Sequence, residues 1–345
     1  MLVRLHILNF RCHADLELPE LSQFNVLAGA NGRGKTSVLE AVYMLSRCRS
    51  FRTHQTRELI HWGCEQFGVA GWFKNTDFQK LKIEWGENER NLAVDRSENL
   101  TIREFWGRSP CVVFQNNDRQ IVQGGAQARR QWVDGLLSSM HTPYLSLIQK
   151  CQLLLKQKNA LLRQQDPSRA IWTGLTRQLE QASREIHGFR LEFTEKAAPL
   201  LARYYCDLTG REESAEIRFE PAIPRHLALS RDALWQKERE RGTACLGPHR
   251  DDWLLSLFDK PLRDYGSEGQ VKSAALAFRL LEIQLIRENR GVWPMLLIDD
   301  ALTDLDPERR AHFWSLLPAE AQVLYATTSA KQDGIPAACR EIGFN

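Results

Sequence analysis

The sequence lacks any apolar run of about 18 residues, the length that a membrane-spanning helix requires. It also lacks a charged start followed by an apolar stretch, the pattern of a secretion signal. Hydrophobic residues make up 43% and charged residues 26% of the 345-residue chain, as in ordinary globular proteins. We therefore expect a cytoplasmic protein without a membrane partner, long enough to form two lobes with hydrophobic cores.

Closely spaced cysteines are missing as well. The eight cysteines stand at positions 12, 48, 64, 111, 151, 206, 245 and 339, and no two of them form a C-x-x-C pair. A disulfide framework or a zinc site would require clustered spacing. We interpret these cysteines as reduced thiols.

The chain also lacks a large excess of charge of either sign, since its formal net charge is only +3. Its distribution is uneven, because residues 121–210 hold 12 Lys/Arg against 7 Asp/Glu. A positive bias on one lobe is compatible with binding to a phosphate backbone, but does not require it.

The predicted strands fall into two groups. Alternating or buried apolar runs predict strands at residues 3–10, 16–18, 24–28, 67–73, 81–85, 91–95, 111–114, 216–220, 253–258, 295–298 and 322–326. Helices are expected at 36–45 and 271–287. This alternation indicates an α/β fold with a mixed sheet. The motifs at residues 29–36 and 295–300, rather than the alternation, predict that it is of the P-loop ABC-type ATPase class.

A long helical segment separates the two groups of strands. Residues 127–208 have helical periodicity, and Asp166-Pro167-Ser168 predicts a break between two arms of a hairpin, each of roughly 25 to 30 residues. One arm carries an apolar stripe that we assign to the core: Trp172, Leu175, Leu179, Ala182, Ile186, Phe189 and Phe193. We therefore predict an ATPase lobe split into residues 1–125 and 211–345, with an inserted helical lobe at 126–210.

A complete Walker A loop follows the third predicted strand and precedes a predicted helix. Its residues are Gly29, Ala30, Asn31, Gly32, Arg33, Gly34, Lys35 and Thr36. The glycines let backbone N–H groups surround phosphates at a helix N-terminus. Lys35 is expected to bind the β- and γ-phosphates of ATP, and the Thr36 hydroxyl to bind Mg²⁺.

A Walker B strand is predicted at Met295 to Asp300, where a buried apolar run ends in two acids. Asp299 is the candidate Mg²⁺ ligand, and Asp300 is the candidate residue that orients the attacking water. ABC-type ATPases usually have Glu at the second position. Because Asp is one methylene shorter, we expect slow hydrolysis, and Lys35, Asp299 and Asp300 are the candidate catalytic residues.

Three further elements are candidates for contacts with the nucleotide. Ser267, Gly269 and Gln270 resemble the ABC signature motif, although a bare S-x-G-Q is also a common helix N-cap. Leu305-Asp306 resembles the D-loop, which lies beside the signature in ATP-bound dimers. Thr328, within A-T-T-S at 326–329, stands at the switch position that is often His, which again favours a slow switch.

Two basic groups leave alternatives open. The first comprises Arg47, Arg49, Arg52, His54 and Arg57, which could be a solvated loop, a nucleotide-side arginine or a DNA-facing patch. The second comprises Arg129, Arg130, Lys150, Lys156, Lys158 and Arg163, which could be a solvated helix face or a phosphate track.

Taken in order, the motifs resemble the RecF family of bacterial recombination mediators over nearly the whole chain. The segments are I-L-N-F-R at 7–11, the Walker A loop through Ala41, S-F-R at 50–52, R-R-Q-W-V-D at 129–134, Q-K-N-A-L-L at 157–162, L-G-P-H-R-D-D at 246–252 and the Walker B region at 297–306. Two departures are Q-N-N-D at 115–118, in place of the usual P-E-D, and Asp304 in place of Glu.

The resemblance implies an ATP-dependent homodimer that binds single- and double-stranded DNA. It would act with RecR and RecO, and indirectly with RecA, at gaps. The alternatives are a non-hydrolysing ATP-bound DNA scaffold and an ABC-type ATPase subunit of another system. A transporter subunit is disfavoured by the G-P-H-R-D-D element, and a nuclease of the overcoming-lysogenization type by the 39 residues that follow Asp306.

Overall fold

A computed structural model describes residues 1–86, 89–222, 230–328, 335 and 339–344. The chain forms two compact units. The first comprises Met1–Asn117 and Glu282–Asn345, and the second comprises Asp118–Leu281.

Ten strands of the first unit form two five-stranded sheets. They are β1 (Leu2–Phe10), β2 (His13–Leu18), β3 (Phe24–Gly29), β4 (Gln66–Phe73), β5 (Lys80–Gly86), β6 (Arg90–Val94), β7 (Cys111–Gln115), β11 (Met295–Asp299), β12 (Val323–Thr327) and β13 (Arg340–Phe344). One sheet has the order β2-β1-β4-β5-β6 and is antiparallel. The other has the order β13-β3-β12-β11-β7 and is parallel. We expected one mixed sheet, but the structure has two sheets in this unit, one antiparallel and one parallel.

The parallel sheet determines where the motifs meet. Its central strands are almost continuously buried, as expected for a sheet covered on both faces. Because parallel strands end at the same edge, the Walker A loop after β3, the acids ending β11 and Thr328 after β12 lie at one edge.

Helix α1 (Lys35–Arg47) lies between the two sheets and contacts strands of both. Nearly all of its side chains are buried, and they share one core cluster with apolar residues of β1, β4, β5 and β11. Two shorter helices in the described part of this unit are α2 (Ile102–Phe105) and α10 (Pro307–Leu316). A helix buried on all sides fixes the Walker A loop at its N-terminus.

The second unit is mainly helical. Its elements are α3 (Arg119–Gln123), α4 (Ala126–Met140), α5 (Thr142–Leu162), α6 (Arg169–Thr209), β8 (Ala215–Glu220), α7 (Arg231–Arg241), β9 (Asp252–Leu257), β10 (Lys260–Pro261), α8 (Leu262–Tyr265) and α9 (Glu268–Arg290), which continues into the first unit. Strands β10-β9-β8 form an antiparallel sheet.

The predicted helical hairpin is present as α5 and α6, which pack together on either side of the break at 166–168. Its arms are unequal, with 21 residues in α5 and 41 in α6. The predicted apolar stripe is buried from Trp172 to Phe193, with Leu175 and Phe189 partly exposed.

The compact units differ from the predicted lobes over residues 118–125 and 211–281, which cluster with the helical segment. Strand β8 packs on α6 and pairs with β9, and the Ala222 N–H donates to Asp251 Oδ1 at 2.8 Å. Local strand patterns do not reveal these long-range contacts. In the described ranges, no helix is long and apolar enough to cross a membrane.

Candidate nucleotide-binding site

The Walker A loop adopts a backbone that its glycines permit. Gly34 has φ 88°, and a Cβ there would lie 2.6 Å from Cys12 Sγ and collide with the His13 ring. Gly32 also has a positive φ of 81°. Other residues rarely adopt these angles, so the glycines allow the chain to turn sharply from β3 into α1.

Lys35 lies inside the loop rather than projecting into solvent. Its Nζ donates to the carbonyl oxygens of Gly29 at 2.6 Å and Ala30 at 2.8 Å, and the residue is 5% exposed. Helix α1 begins beside it without a side-chain cap. The unpaired N–H groups at the start of a helix, together with a fixed ammonium, attract phosphate.

A cavity of about 490 Å³ opens in front of the loop. That volume lies within the range of small-molecule sites. It is lined by Arg11, Cys12, Asn31, Gly32, Arg33, Gly34, Lys35, Thr36, Ser37, Arg52, Glu58, Ile60, Trp62 and Asp300. The predicted phosphate-binding residues 31–36 and Asp300 therefore share one cavity.

Thr36 and Asp299 form the candidate Mg²⁺ site. The Thr36 hydroxyl donates to Asp299 Oδ1 at 2.7 Å, which brings the ends of two motifs together across the sheet. Burial raises the pKa of Asp299, while the Thr36 hydrogen bond opposes that rise and the nearby Asp300 adds to it.

This pair suits a magnesium ion held mainly by phosphates. Within the described part of the chain there is no cluster of three or more His, Cys, Asp or Glu side chains suited to a metal. Mg²⁺ commonly binds through one or two protein oxygens plus substrate phosphates and water. The Thr36 hydroxyl, which lines the cavity, and the Asp299 carboxylate hydrogen-bonded to it fit that pattern.

Asp300 follows β11 in a left-handed backbone conformation, with φ 48°. Asp and Asn tolerate this region better than most residues. The turn separates Asp300 from its neighbour: Asp299 bonds to Thr36, whereas Asp300 lines the cavity.

The signature-like residues form a capping box at the start of α9. The Gln270 N–H donates to Ser267 Oγ at 3.3 Å, and the Ser267 N–H donates to Gln270 Oε1 at 2.9 Å. The motif can therefore be a helix N-cap, an ABC signature motif or both, because an exposed capped helix start can also bind phosphate. Ser267, Gly269 and Gln270 belong to the second unit, and their contact with a nucleotide stays a prediction.

The D-loop and switch positions are both exposed. The Asp306 side chain accepts from the Arg309 N–H at 2.9 Å and so caps α10. Thr328 directly follows β12, and Ser329 lies outside the described residues. Their nucleotide contacts also stay predictions.

Sequence reasoning missed the role of Glu40, a fully buried carboxylate on α1. It accepts from Arg11 Nε at 2.9 Å and Nη2 at 2.7 Å and from the Ser50 hydroxyl, and lies 3.7 Å from Arg52 Nη1. Both arginines line the cavity. A Glu on the core side of α1, five residues after Lys35, was the available signal.

Gln115, in the departure at 115–118, was also not assigned to the site. It ends β7, and its Cα pairs with that of Asp299 on the neighbouring strand. The substituted segment thus begins beside the Walker B acid.

The second basic group is divided between buried and exposed side chains. Arg129 donates to both carboxylate oxygens of Asp252 at 2.7 and 3.0 Å, and Arg130 donates to the Asp251 carbonyl at 2.6 Å. Lys158 lies 2.8 Å from Glu238, and both side chains are fully buried. Lys150, Lys156 and Arg163 remain exposed. Sequence alone does not show which basic residues of a helix pair with an acidic residue in the core.

The first basic group is likewise divided. Arg47 is buried 3.8 Å from Glu282, and Arg49 lies over the Trp106 ring. Arg52 lines the cavity, as the nucleotide-side alternative predicts. His54 and Arg57 are exposed.

The G-P-H-R-D-D segment holds a buried polar network together. Asp251, fully buried, accepts from Arg190 Nη1 at 2.5 Å and lies 2.8 Å from His187 Nε2. Arg190 also donates to Asp134 at 2.8 Å, which is the Asp of the R-R-Q-W-V-D segment. Two motifs of the family thus meet around one buried arginine.

Together, the parallel sheet, the Walker A loop and the Thr36–Asp299 pair define a P-loop protein of the ABC/SMC type. The family model described as RecF/RecN/SMC N terminal domain matches residues 1–338. The DNA replication and repair protein RecF of Geobacter metallireducens is 33% identical over 94% of this chain and 92% of its own length. That of Oceanobacillus iheyensis is 33% identical over 95% and 93%. The chain belongs to the RecF family.

Solved structures agree on the fold. One described as the recombination mediator protein RecF-ATPrS in the RecFOR pathway has a TM-score of 0.87 and 24% identity, and covers 99% of this chain and 96% of its own. An Smc head bound to the C-winged helix domain of ScpA has a TM-score of 0.57 and 14% identity, with 95% and 90% covered. The predicted α/β fold of the ABC-type ATPase class is confirmed.

Proposed function

We propose that this protein is an ATP-dependent DNA-binding protein of recombinational repair and replication. The observation that carries the proposal is the arrangement of the Walker A and Walker B residues. Lys35 is hydrogen-bonded to the carbonyl oxygen of Gly29, and the Thr36 hydroxyl lies 2.7 Å from Asp299 Oδ1. Its relatives are named DNA replication and repair proteins, and the similarity extends over more than nine-tenths of the chain. A structurally similar RecF is described with ATP.

The chemistry is hydrolysis of ATP to ADP and phosphate. Lys35 and the N–H groups at the start of α1 bind the phosphates. Thr36 and Asp299 would hold Mg²⁺, which when bound would supply positive charge beside the phosphate oxygens. Asp300 accepts a hydrogen bond from the attacking water and so orients it. Its short side chain favours slow turnover, as in a conformational switch.

In the proposed cycle, ATP closes a homodimer around single- or double-stranded DNA, and hydrolysis opens it. The clamp helps to load a recombinase at gaps. RecR and RecO are the proposed partners, and RecA is the indirect one, since a similar protein is described in the RecFOR pathway. DNA phosphates would supply most of the binding energy to cationic side chains.

A non-hydrolysing scaffold is the second candidate, because Asp300 replaces Glu and Thr328 replaces His. ATP would then only hold the dimer together. Phosphate release under single-turnover conditions separates the two, since the scaffold would release none while still requiring ATP for DNA binding.

The decisive experiment measures DNA binding with ATP, with ADP and without nucleotide. We expect strong retention of DNA only with ATP and Mg²⁺. DNA affinity that is the same in all three states would contradict the clamp.

The matched variant is Lys35→Met, which removes the fixed ammonium that binds phosphate. It should abolish or severely weaken ATP binding, and should bind DNA equally under all three conditions. ATP affinity within about threefold of the parent, a difference under about 1 kcal/mol, would show that Lys35 is not in the phosphate site.

A further inference from the structure

Trp62 is the starting point, because its side chain is almost entirely in water. It is 96% exposed, whereas the other described tryptophans are buried or partly buried. When a ligand covers a large aromatic surface that was in contact with water, the free energy of the system falls, which favours binding. Trp62 also lines the nucleotide cavity.

The backbone immediately before Trp62 is firmly held. The Arg11 N–H donates to the Leu59 carbonyl at 2.8 Å, and the His61 N–H donates to the Asn9 carbonyl at 2.8 Å. His61 Nδ1 bonds to the Arg11 carbonyl at 2.7 Å. Trp62 therefore projects from an ordered segment, and little backbone entropy would be lost when its ring is covered.

The cavity also has two chemically different parts. Lys35, Thr36 and the loop residues offer charge and N–H groups, which suit a triphosphate. Ile60 and Trp62 offer apolar surface in the same cavity. A nucleotide has the same division, with anionic phosphates at one end and a flat aromatic base at the other.

We propose that Trp62 binds the base of the nucleotide by stacking, with Ile60 providing apolar contact beside it. This inference rests on the proposed nucleotide binding and adds the residue that recognises the base. Purines stack over a larger area than pyrimidines, so Trp62 favours ATP over CTP or UTP. The ten tryptophans of the chain show no regular spacing, so sequence alone does not single out this one.

The test compares ATP with inorganic tripolyphosphate, which carries the phosphates but no base. Dissociation constants are measured with Mg²⁺ for the parent, Trp62→Ala and Trp62→Phe. Trp62→Ala should weaken ATP binding by about fivefold or more, the usual loss when a stacking ring is removed. Tripolyphosphate binding should change by less than about twofold. Trp62→Phe should retain most of the ATP affinity.

Two controls accompany this series. Phe258→Ala removes another exposed ring, 66% exposed and outside the cavity lining, and should leave both ligands unaffected. Tryptophan fluorescence of the parent should fall on adding ATP but not tripolyphosphate, and this change should disappear in Trp62→Phe.

The outcomes distinguish the inference from the proposed function. If the parent binds neither ligand, the nucleotide site itself is refuted. If the parent binds both, and Trp62→Ala weakens them equally or not at all, only the assignment of Trp62 fails. Trp62 also lines a neighbouring cleft with Trp85. Loss of single-stranded DNA binding with unchanged ATP affinity would therefore assign the ring to DNA and overturn the inference.

Discussion

At the residue scale, Asp299 and Asp300 show how adjacent acids can serve different roles. Asp299 is bonded to Thr36, whereas Asp300 lines the cavity after a left-handed turn. We expect Asp300→Asn to keep that turn, because Asn tolerates the same backbone. ATP binding should persist, while hydrolysis should fall by at least about tenfold because the water loses its acceptor.

Steady-state phosphate release measures this effect, and filter binding measures retained ATP. Asp304→Asn is the matched control, since Asp304 is a nearby acid outside the cavity lining. An unchanged turnover rate in Asp300→Asn would move the water-orienting role to another residue.

Glu40 illustrates a residue whose removal should affect both stability and the site. Its fully buried carboxylate is bonded to Arg11 and Ser50 and lies near Arg52. Glu40→Gln leaves Arg11 without its anion, so we expect a loss of about 3 kcal/mol in the free energy of unfolding. Glu17→Gln, which breaks the exposed pair with Arg4, should cost less than about 1 kcal/mol.

Urea unfolding at neutral pH measures both variants. Equal losses for the buried and the exposed pair would contradict the assignment of Glu40 as the anchor of the two arginines. ATP affinity should also fall in Glu40→Gln and remain unchanged in Glu17→Gln.

At the element scale, the turn before β9 supplies a pH dependence. Burial lowers the pKa of His249 to about 4, although its hydrogen bond to the Ala244 carbonyl opposes this shift. Arg130 and Arg250 lower it further, and Asp251 raises it. In the unfolded chain, the imidazole titrates near its usual value of about 6.5.

The direction of the effect follows from proton uptake. Above pH 6.5 His249 is neutral in both states, so its contribution to stability is fully present. Between about pH 6.5 and 4 only the unfolded state binds the proton, and stability falls as the pH falls. Urea unfolding of His249→Gln at pH 7 and 5 should show a smaller loss than the parent; an equal loss would rule out this source.

The strands of the first unit could be predicted to within one or two residues in most cases, because their alternation is local. Strand β13 could not, since REIGF becomes a strand by pairing with the distant β3. The arms of the hairpin were misjudged because α6 continues through Pro199, a residue that usually interrupts a helix.

The site shows the same limit. The residues of Walker A and Walker B could be named from their spacing, and Thr36 does meet Asp299. The pairing of Lys158 with Glu238, and of Arg129 with Asp252, could not be foreseen, because each partner lies far along the chain. Those contacts bury Arg129 and Lys158 in the core, and leave Lys150, Lys156 and Arg163 as the exposed members of the group.

At the scale of the whole molecule, the burial of basic side chains reduces the positive charge that is available to bind DNA. The surplus of positive charge at 121–210 includes Arg129, Lys158 and Arg190, all buried in ion pairs. Burial lowers the pKa of Lys158, and Glu238 opposes that shift and favours its charged form. These cations are not available to phosphates, so net charge overstates the surface that this segment offers to DNA.

The proposed dimer rests on what one copy of the nucleotide cavity contains. All residues lining it belong to the first unit, and Lys35, Thr36 and the adjoining Asp299 are the proposed ligands of the phosphates and of Mg²⁺. The capped, exposed start of α9 at Ser267 belongs to the second unit and offers N–H groups suited to a phosphate. A two-fold axis would present this helix start from each copy to the nucleotide of the other, giving two shared sites in one isologous interface.

Ser267→Arg tests this arrangement, because a long cation at the helix start would block the partner's approach. The variant should still bind ATP as a monomer, while dimerisation and turnover are lost. Ser230→Arg is the control, because the Ser230 hydroxyl also caps a helix, α7. Each variant loses an N-cap, which lowers stability by about 1 kcal/mol, but only Ser267→Arg alters the signature-like motif.

Sedimentation with ATP, ADP and each variant measures assembly. ADP lacks the γ-phosphate that would bridge the two copies, so the parent should dimerise only with ATP. A parent that stays monomeric with saturating ATP and Mg²⁺, and hydrolyses it at a rate per chain that is independent of dilution, would refute the shared site.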